Sequence, residues 1–301
     1  MDITEALQIG TQLCLQSHHT DSANADVDLP IYNADDAKLD AQILLCHVLQ
    51  CNRAYLHTWA DRALTEAQLA HYQQLVQQRQ TGQPVAYILG VQGFYGRDFK
   101  VSNDTLIPRP ETEQLVDIVL QLVQQQTLAG NVVHSILDLG TGTGAIAITL
   151  ALALPQVQVT AVDYVLGAVN LAKTNAQQLL PAASTLQLLH SDWFSQVTER
   201  FDIIVSNPPY VEPDSPYLLQ GDIRFEPNTA LTADDNGLAD IRLIVAHAPQ
   251  YLQANGWLLL EHGYQQAPAV QDLMQQHGFT DITTINDYAQ QPRITLGQKR
   301  D

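Results

Sequence analysis

Apolar residues recur at two different spacings along this chain, and the change falls near residue 135. In the first third the spacing is helical. Leu39, Ile43, Leu44 and Val48 fall on one face of a segment running from Asp36 to Leu49. Shorter runs of the same kind predict helices over 2–15 and 53–59. Thr65 followed three residues later by Gln68 has the form of a capping box, and predicts a Gln-rich helix to about Gln80, closed by Gly82. The stretch from Ser17 to Asp36 is polar and acidic, contains Pro30, and reads as a loop or mobile insertion. Aromatic and β-branched residues around Gly96, from Phe94 to Val101, predict a hairpin. Pro110 is placed to open a helix that continues to about Gln126.

From Ser135 onward, short apolar runs alternate with helical segments. Strands are expected over 136–139, 157–162, 185–189, 201–205, 257–260, 279–285 and 293–296. Helices are expected over 145–154, 164–179, 237–254 and 265–277. Such alternation argues for an α/β domain, a mainly parallel sheet with helices on both faces. The predicted organisation is an N-terminal helical domain over 1–92, a hairpin and linker over 93–109, and a catalytic domain over 110–301. No fixed-period repeat is present.

Two motifs sit where such a sheet binds ligands. Asp138-Leu139-Gly140-Thr141-Gly142-Thr143-Gly144 lies between a strand and a helix, where glycines permit a sharp turn and close approach of backbone to a ligand. Asp163 ends the next strand about 20 residues on, where a carboxylate can accept from both hydroxyls of a ribose. The spacing G-x-G-x-G leaves the dinucleotide fingerprint incomplete, because Ala145 and Ile146 follow. The loop suits a nucleoside with an amino-acid tail better than one with phosphates. Asp192 and Trp193 follow the third strand, and two readings stay open: contacts to an adenine ring, or a capping Asp beside a core Trp.

The second motif, Asn207-Pro208-Pro209-Tyr210, follows the strand 201–205. Two prolines remove two backbone donors and stiffen the loop. An amide or exocyclic amino NH2 group is a weak nucleophile because its lone pair is delocalised. Two acceptors, the Asn207 side-chain oxygen and the Pro208 carbonyl, can hold its hydrogens and turn that lone pair toward a methyl sulfonium. Tyr210 can pack on the planar group. Catalysis is then positioning and stabilisation of developing positive charge.

Composition narrows the picture. The net charge is -18, from 14 basic and 32 acidic residues, which disfavours a surface that grips a phosphate backbone. The cysteines Cys14, Cys46 and Cys51 form no C-x-x-C pair, and none of the ten histidines has metal-ligand spacing, so no metal site is expected. The N-terminus lacks a basic signal region and no apolar run is long enough to span a bilayer, so the reading is cytoplasmic, with no membrane partner. Arg109 and Arg224 stand out because Arg is scarce here, and two readings stay open for each: an ion-pair staple, which is favoured, or a contact to a ligand carboxylate or the substrate. Glu261, before His262-Gly263, reads as either a supporting acid or a solvated strand end.

Several segments together resemble the PrmC/HemK methyltransferases. They are Gln83 to Gly90, Leu106-Ile107-Pro108-Arg109-Pro110-Glu111-Thr112-Glu113, Asn207 to Tyr210, and Gly221-Asp222-Ile223-Arg224-Phe225-Glu226-Pro227. The resemblance implies a class I, Rossmann-like methyltransferase domain with a mixed, mainly parallel seven-stranded sheet. It implies S-adenosylmethionine as methyl donor and S-adenosylhomocysteine as product. Gly140 to Gly144, Asp163, Trp193 and Asn207 match the family's cofactor contacts, and Asn207 to Tyr210 its substrate-amide loop. The implied substrate is the glutamine of the Gly-Gly-Gln motif in class I peptide chain release factors, engaged in part by the N-terminal helices of a monomer. Two departures are the long polar stretch 17–36 and the bulky Tyr164-Val165-Leu166 after Asp163. Two other readings stay open on the motifs alone: an adenine-N6 DNA or RNA methyltransferase, and a silent module that binds release factors.

Overall fold

The computed structural model describes residues 1–18 and 32–300, so most of the polar stretch 17–36 lies outside the described residues. The chain forms two compact units, Met1–Val91 with Asp214–Phe225, and Gln92–Pro213 with Glu226–Asp301. The first unit is built from helices Ile3–His18, Ala34–Leu49, Arg53–Thr58, Glu66–Gln80 and Val85–Leu89. The second of these starts two residues before its predicted place, because Asn33 caps it. The Asn33 side chain accepts from the Asp35 and Asp36 amides while Asp36 accepts from the Asn33 amide. The capping box of Thr65 and Gln68 forms as its spacing predicts. Ile3, Leu44, Leu45, Leu56, Tyr72 and Val76 make the core of this unit. Gly10 is required there, since a Cβ would lie 2.0 Å from the Tyr72 hydroxyl. The three cysteines are free thiols, and burial pushes Cys14 up to about 12.

Arg79 ties the two sequence segments of this unit together. It is 2% exposed. Its Nε donates to Asp40 at 2.6 Å, and its Nη1 donates to Asp222 at 2.6 Å and to the carbonyls of Gly82 and Gln83. The guanidinium lies 5.2 Å from the Tyr32 ring centroid, and the Tyr32 hydroxyl donates to Asp40. Burial opposes the charge, but Asp222 and Asp40 outweigh it and hold the guanidinium pKa above its ordinary value. Arg224 lies against the ring of Phe225 and beside Gly82 in the same unit.

A hairpin of β1 (Val91–Phe94) and β2 (Arg97–Lys100) follows, all but Val91 of it in the second unit. Tyr95 and Gly96 turn it with φ of 51° and 71°, the positive pair that a two-residue turn of this hand requires. Asn175 clamps the hairpin to the sheet domain, accepting from the Lys100 amide and donating to the carbonyls of Lys100 and Thr143. The hairpin therefore groups with the catalytic unit, while 214–225 groups with the helices.

Seven further strands are β3 (Ser135–Leu139), β4 (Gln158–Asp163), β5 (Gln187–His190), β6 (Phe201–Ser206), β7 (Leu252–Glu261), β8 (Phe279–Asn286) and β9 (Pro292–Lys299). They form one sheet in the order β5-β4-β3-β6-β7-β9-β8. The β5-β4-β3-β6-β7 pairings are parallel, while β9 is antiparallel to both β7 and β8. This is the mainly parallel, mixed seven-stranded arrangement expected of the class I methyltransferase fold. Each face carries its own core, one around Leu115, Val119, Ile146 and Ile148, the other around Ile241, Ile244, Val270 and Met274.

The helix predicted over 237–254 is shorter, Ala239–Tyr251, and β7 begins at Leu252. Leu252 is fully buried and pairs with Phe201, after which the register shifts before Ile203 meets Trp257. Residues 253–256 take up that shift, with Asn255 at φ 60°. Among the described residues, no helix is long and apolar enough to cross a membrane.

The pairing of Arg79 predicts unequal costs at its two carboxylates. Asp40→Ala removes the better-buried partner and should cost the helical unit about 3 kcal/mol, whereas Asp222→Ala, whose side chain is 39% exposed, should cost under about 1 kcal/mol. Amide hydrogen exchange in Glu66–Gln80 reads both, and equal losses would refute the assignment.

Candidate active site

Parallel pairing brings three loops to one edge of the sheet. Leu139 pairs with Val162 on one side and Ser206 on the other, so Gly140, Asp163 and Asn207 all emerge at the carboxyl ends of adjacent strands. The glycine loop folds back onto β4, where the amides of Gly140 and Thr141 both donate to the Val162 carbonyl. Asp163 holds the loop from the other side. Its Oδ2 accepts from the Gly142 amide and its Oδ1 from the Val165 amide, both at 2.8 Å. Each oxygen keeps a lone pair for a further donor. Burial raises the Asp163 pKa, and these amides oppose the rise.

A cleft of about 350 Å³ opens over this edge, within the range of small-molecule sites. Gly140, Thr141, Gly142, Thr143, Asp163, Asp192, Trp193, Asn207 and Pro209 line it. Gly144, Pro208 and Tyr210 do not. Gly144 is instead a packing requirement: at φ 82° it starts the helix Ala145–Ala153, and a Cβ there would lie 2.8 Å from Ile148. The Tyr210 ring is half-buried against the core around Ile241, and its carbonyl accepts from Gln266 Nε2 at 3.0 Å. Gly237 is needed beside it, since a Cβ would sit 2.1 Å from that carbonyl. The Val211 amide donates to the Leu231 carbonyl, so the loop is anchored just beyond its prolines.

Sequence reading passed over several residues of the site. Asp104, Thr105, Thr112 and Asp240 also line the cleft. Asp240 lies on a helix without motif, its pKa raised by burial and then by Asp192. Asp138, beneath the glycine loop, is fully buried; its Oδ2 accepts from the Thr141 hydroxyl at 2.6 Å, and its Oδ1 has no partner in the protein. Burial pushes its carboxyl up to about 7, against the pull of Thr141. Arg109 is a staple, as expected: it pairs with the buried carboxylate of Glu226, which also accepts from the Ile107 amide at 2.9 Å. Among the described residues, no group of three or more His, Cys, Asp or Glu is arranged to hold a metal ion.

Charge decides what the cleft admits. Asp104, Asp163, Asp192 and Asp240 line it against the single guanidinium of Arg109. Such a wall repels polyphosphates and favours a cation. A nucleoside with a sulfonium and an amino-acid tail suits the charge of this lining, while the amides of Gly140, Thr141, Gly142 and Gly144 are spent on holding the loop itself.

The comparisons agree with this geometry. The PrmC N-terminal domain family matches residues 31–90, and the methyltransferase small domain family matches 113–219. The release factor glutamine methyltransferase of Vibrio cholerae is 48% identical over 88% of this chain and 91% of its own length. The chain belongs to the release factor glutamine methyltransferase family. Its Pseudomonas aeruginosa relative is 46% identical over 91% of this chain and 96% of its own length, and that of Shewanella oneidensis is 47% identical over 78% and 80%. A family member needs a bound methyl donor, and Asp163 is the residue here with most to lose. Asp163→Ala should weaken binding of S-adenosylmethionine by about 10- to 100-fold, the worth of a charge-assisted hydrogen bond at about 1.5–3 kcal/mol. Titration calorimetry checks this, and an unchanged Kd would refute the assigned role.

Proposed function

We propose that this chain transfers a methyl group from S-adenosylmethionine to the side-chain amide nitrogen, N5, of the glutamine in the Gly-Gly-Gln motif of class I peptide chain release factors, in the cytoplasm. The observation that carries the reading is Asn207, which stands at the wall of an acid-lined cleft with its Nδ2 donating to Thr112 Oγ1 at 3.1 Å. With its amino end so engaged, the Asn207 Oδ1 remains to accept a hydrogen from a substrate amide. We assign the second acceptor to the Pro208 carbonyl, which lies between Asn207 and Pro209 of the cleft wall although Pro208 itself is not part of that wall.

The bound donor supplies an electrophilic methyl on a sulfonium. The protein supplies orientation. Two acceptors on the two amide hydrogens hold the group's plane and direct its lone pair out of it. As the N–C bond forms, positive charge grows on the nitrogen, and both acceptors strengthen with it. Once cationic, the nitrogen is strongly acidic and sheds one of its two protons to water, so no strong base is required beforehand. The acid-lined cleft also favours the donor's charge over that of its neutral-sulfur product.

The test is transfer of labelled methyl from S-adenosylmethionine to purified release factor, beside the same factor with its Gly-Gly-Gln glutamine changed to alanine, and duplex DNA. Label in the intact factor alone supports the reading; label in DNA, or none in the factor, overturns it. Asn207→Ala should lower kcat by at least about 100-fold, combining a lost acceptor worth about 1–3 kcal/mol with misorientation, while cofactor Kd stays within about twofold. Full activity in that variant would refute the mechanism.

A further inference from the structure

An asparagine amide can present either end to a substrate, and only one end works here. Oδ1 toward the target amide accepts its hydrogen; Nδ2 in the same place sets donor against donor. Something must choose between two orientations that occupy the same space.

We propose that Thr112 and Glu261 are positioning residues that fix the Asn207 amide with its oxygen toward the substrate. The relay is short and buried. Asn207 Nδ2 donates to Thr112 Oγ1 at 3.1 Å, and the Thr112 hydroxyl donates to Glu261 Oε2 at 2.8 Å. Thr112 is 5% exposed and Glu261 1%. A hydroxyl carries one proton. Once the Glu261 carboxylate has taken it, Thr112 offers Asn207 only lone pairs, and the group facing Thr112 must be NH2. The fold assembles the relay from three elements. Asn207 follows β6, Glu261 ends the neighbouring parallel strand β7, and Thr112 lies in the first turn of the helix Pro110–Leu128. The inference rests on the reading of Asn207 as the substrate-amide acceptor.

Direction in the relay depends on the Glu261 charge. Burial pushes the Glu261 carboxyl up to about 7; the Thr112 hydroxyl, Arg293 on β9 and Arg109 pull it down, and Glu111 adds to the rise. Ionised Glu261 accepts from Thr112. Protonated Glu261 can donate to Thr112 instead, which frees the threonine proton toward Asn207 and favours the turned amide. Function is therefore present above the Glu261 pKa and lost as pH falls through it. Asp138 titrates in the same range, but it lies beneath the glycine loop, where its Oδ2 accepts from Thr141 and not from the relay.

Two measurements test the relay. In the first, kcat is measured at saturating S-adenosylmethionine, so that changes in cofactor affinity do not enter. Thr112→Val should lower kcat by at least about tenfold, with KM for release factor and Kd for cofactor within about twofold, and Thr112→Ser should restore most of the loss. The native profile should fall on the acid side of about pH 7, and Glu261→Gln should flatten it. A Thr112→Val enzyme within about twofold of native kcat, or an acid limb that survives Glu261→Gln, overturns the proposal. The second measurement needs no turnover. The Asn207 side-chain amide resonances, assigned by their loss in Asn207→Ala, should titrate near pH 7 in the native protein and not in Glu261→Gln. Absence of that native titration overturns the relay whatever the substrate proves to be. A native enzyme that leaves release factor unlabelled while the resonances titrate overturns the proposed function alone.

Discussion

Parallel hydrogen bonding between β3 and its neighbours β4 and β6 is the constraint on which the site depends. A parallel ladder sends consecutive strands back through crossover helices, so every carboxyl end arrives at the same edge. Three stretches separated by dozens of residues then share one mouth. Asp163 converts this nearness into rigidity. Its carboxylate spans from the Gly142 amide to the Val165 amide, so the loop after β3 and the turn after β4 cannot move apart without stranding an anion among unpaired donors.

Around that edge the protein accepts costs that a purely structural core would avoid. Asp138 and Glu261 are buried carboxylates, each with its proton affinity raised toward neutrality, and Glu226 is buried against Arg109. Such groups do not favour stability by themselves. Their common property is position: one lies under the glycine loop, one behind Asn207, one behind the linker that carries Arg109. Buried ionisable groups gathered on one side of a sheet mark where its chemistry is done.

Much of this was readable along the chain, and the division between read and unread is physical. Local signals were reliable. Thr65 and Gln68 cap as their spacing requires, Gly96 turns the hairpin, and the motif of Gly140 to Gly142 with Asp163 and Asn207 converges as strand–loop–helix order dictates. The unread parts are side-chain pairs between distant positions. Arg79 meets Asp222 across 143 positions, Thr112 meets Glu261 across 149, and Ile107 meets Glu226 across 119. Periodicity carries no information about such partners. The start of β7 was missed for a related reason: Leu252 continues a helical pattern, but its pairing with Phe201 on another strand decides its conformation. Tyr210 reads as a substrate-facing ring by motif, yet its ring is held by the core around Ile241.

The helical unit is not continuous in sequence, because Asp214–Phe225 belongs to it and the flanking residues do not. This has a consequence for the order of synthesis. A ribosome delivers Asp40 and Arg79 early, but the second carboxylate of the buried guanidinium arrives 143 residues later. Throughout that interval the emerging helices hold a cation with one partner rather than two, and their final arrangement waits on translation of the sheet strands β3 to β6. The helical unit receives its last segment only after β6, and the sheet still awaits β7 to β9 at that point. A nascent chain cut short before residue 222 carries every N-terminal helix and still lacks one of the ions that fasten them.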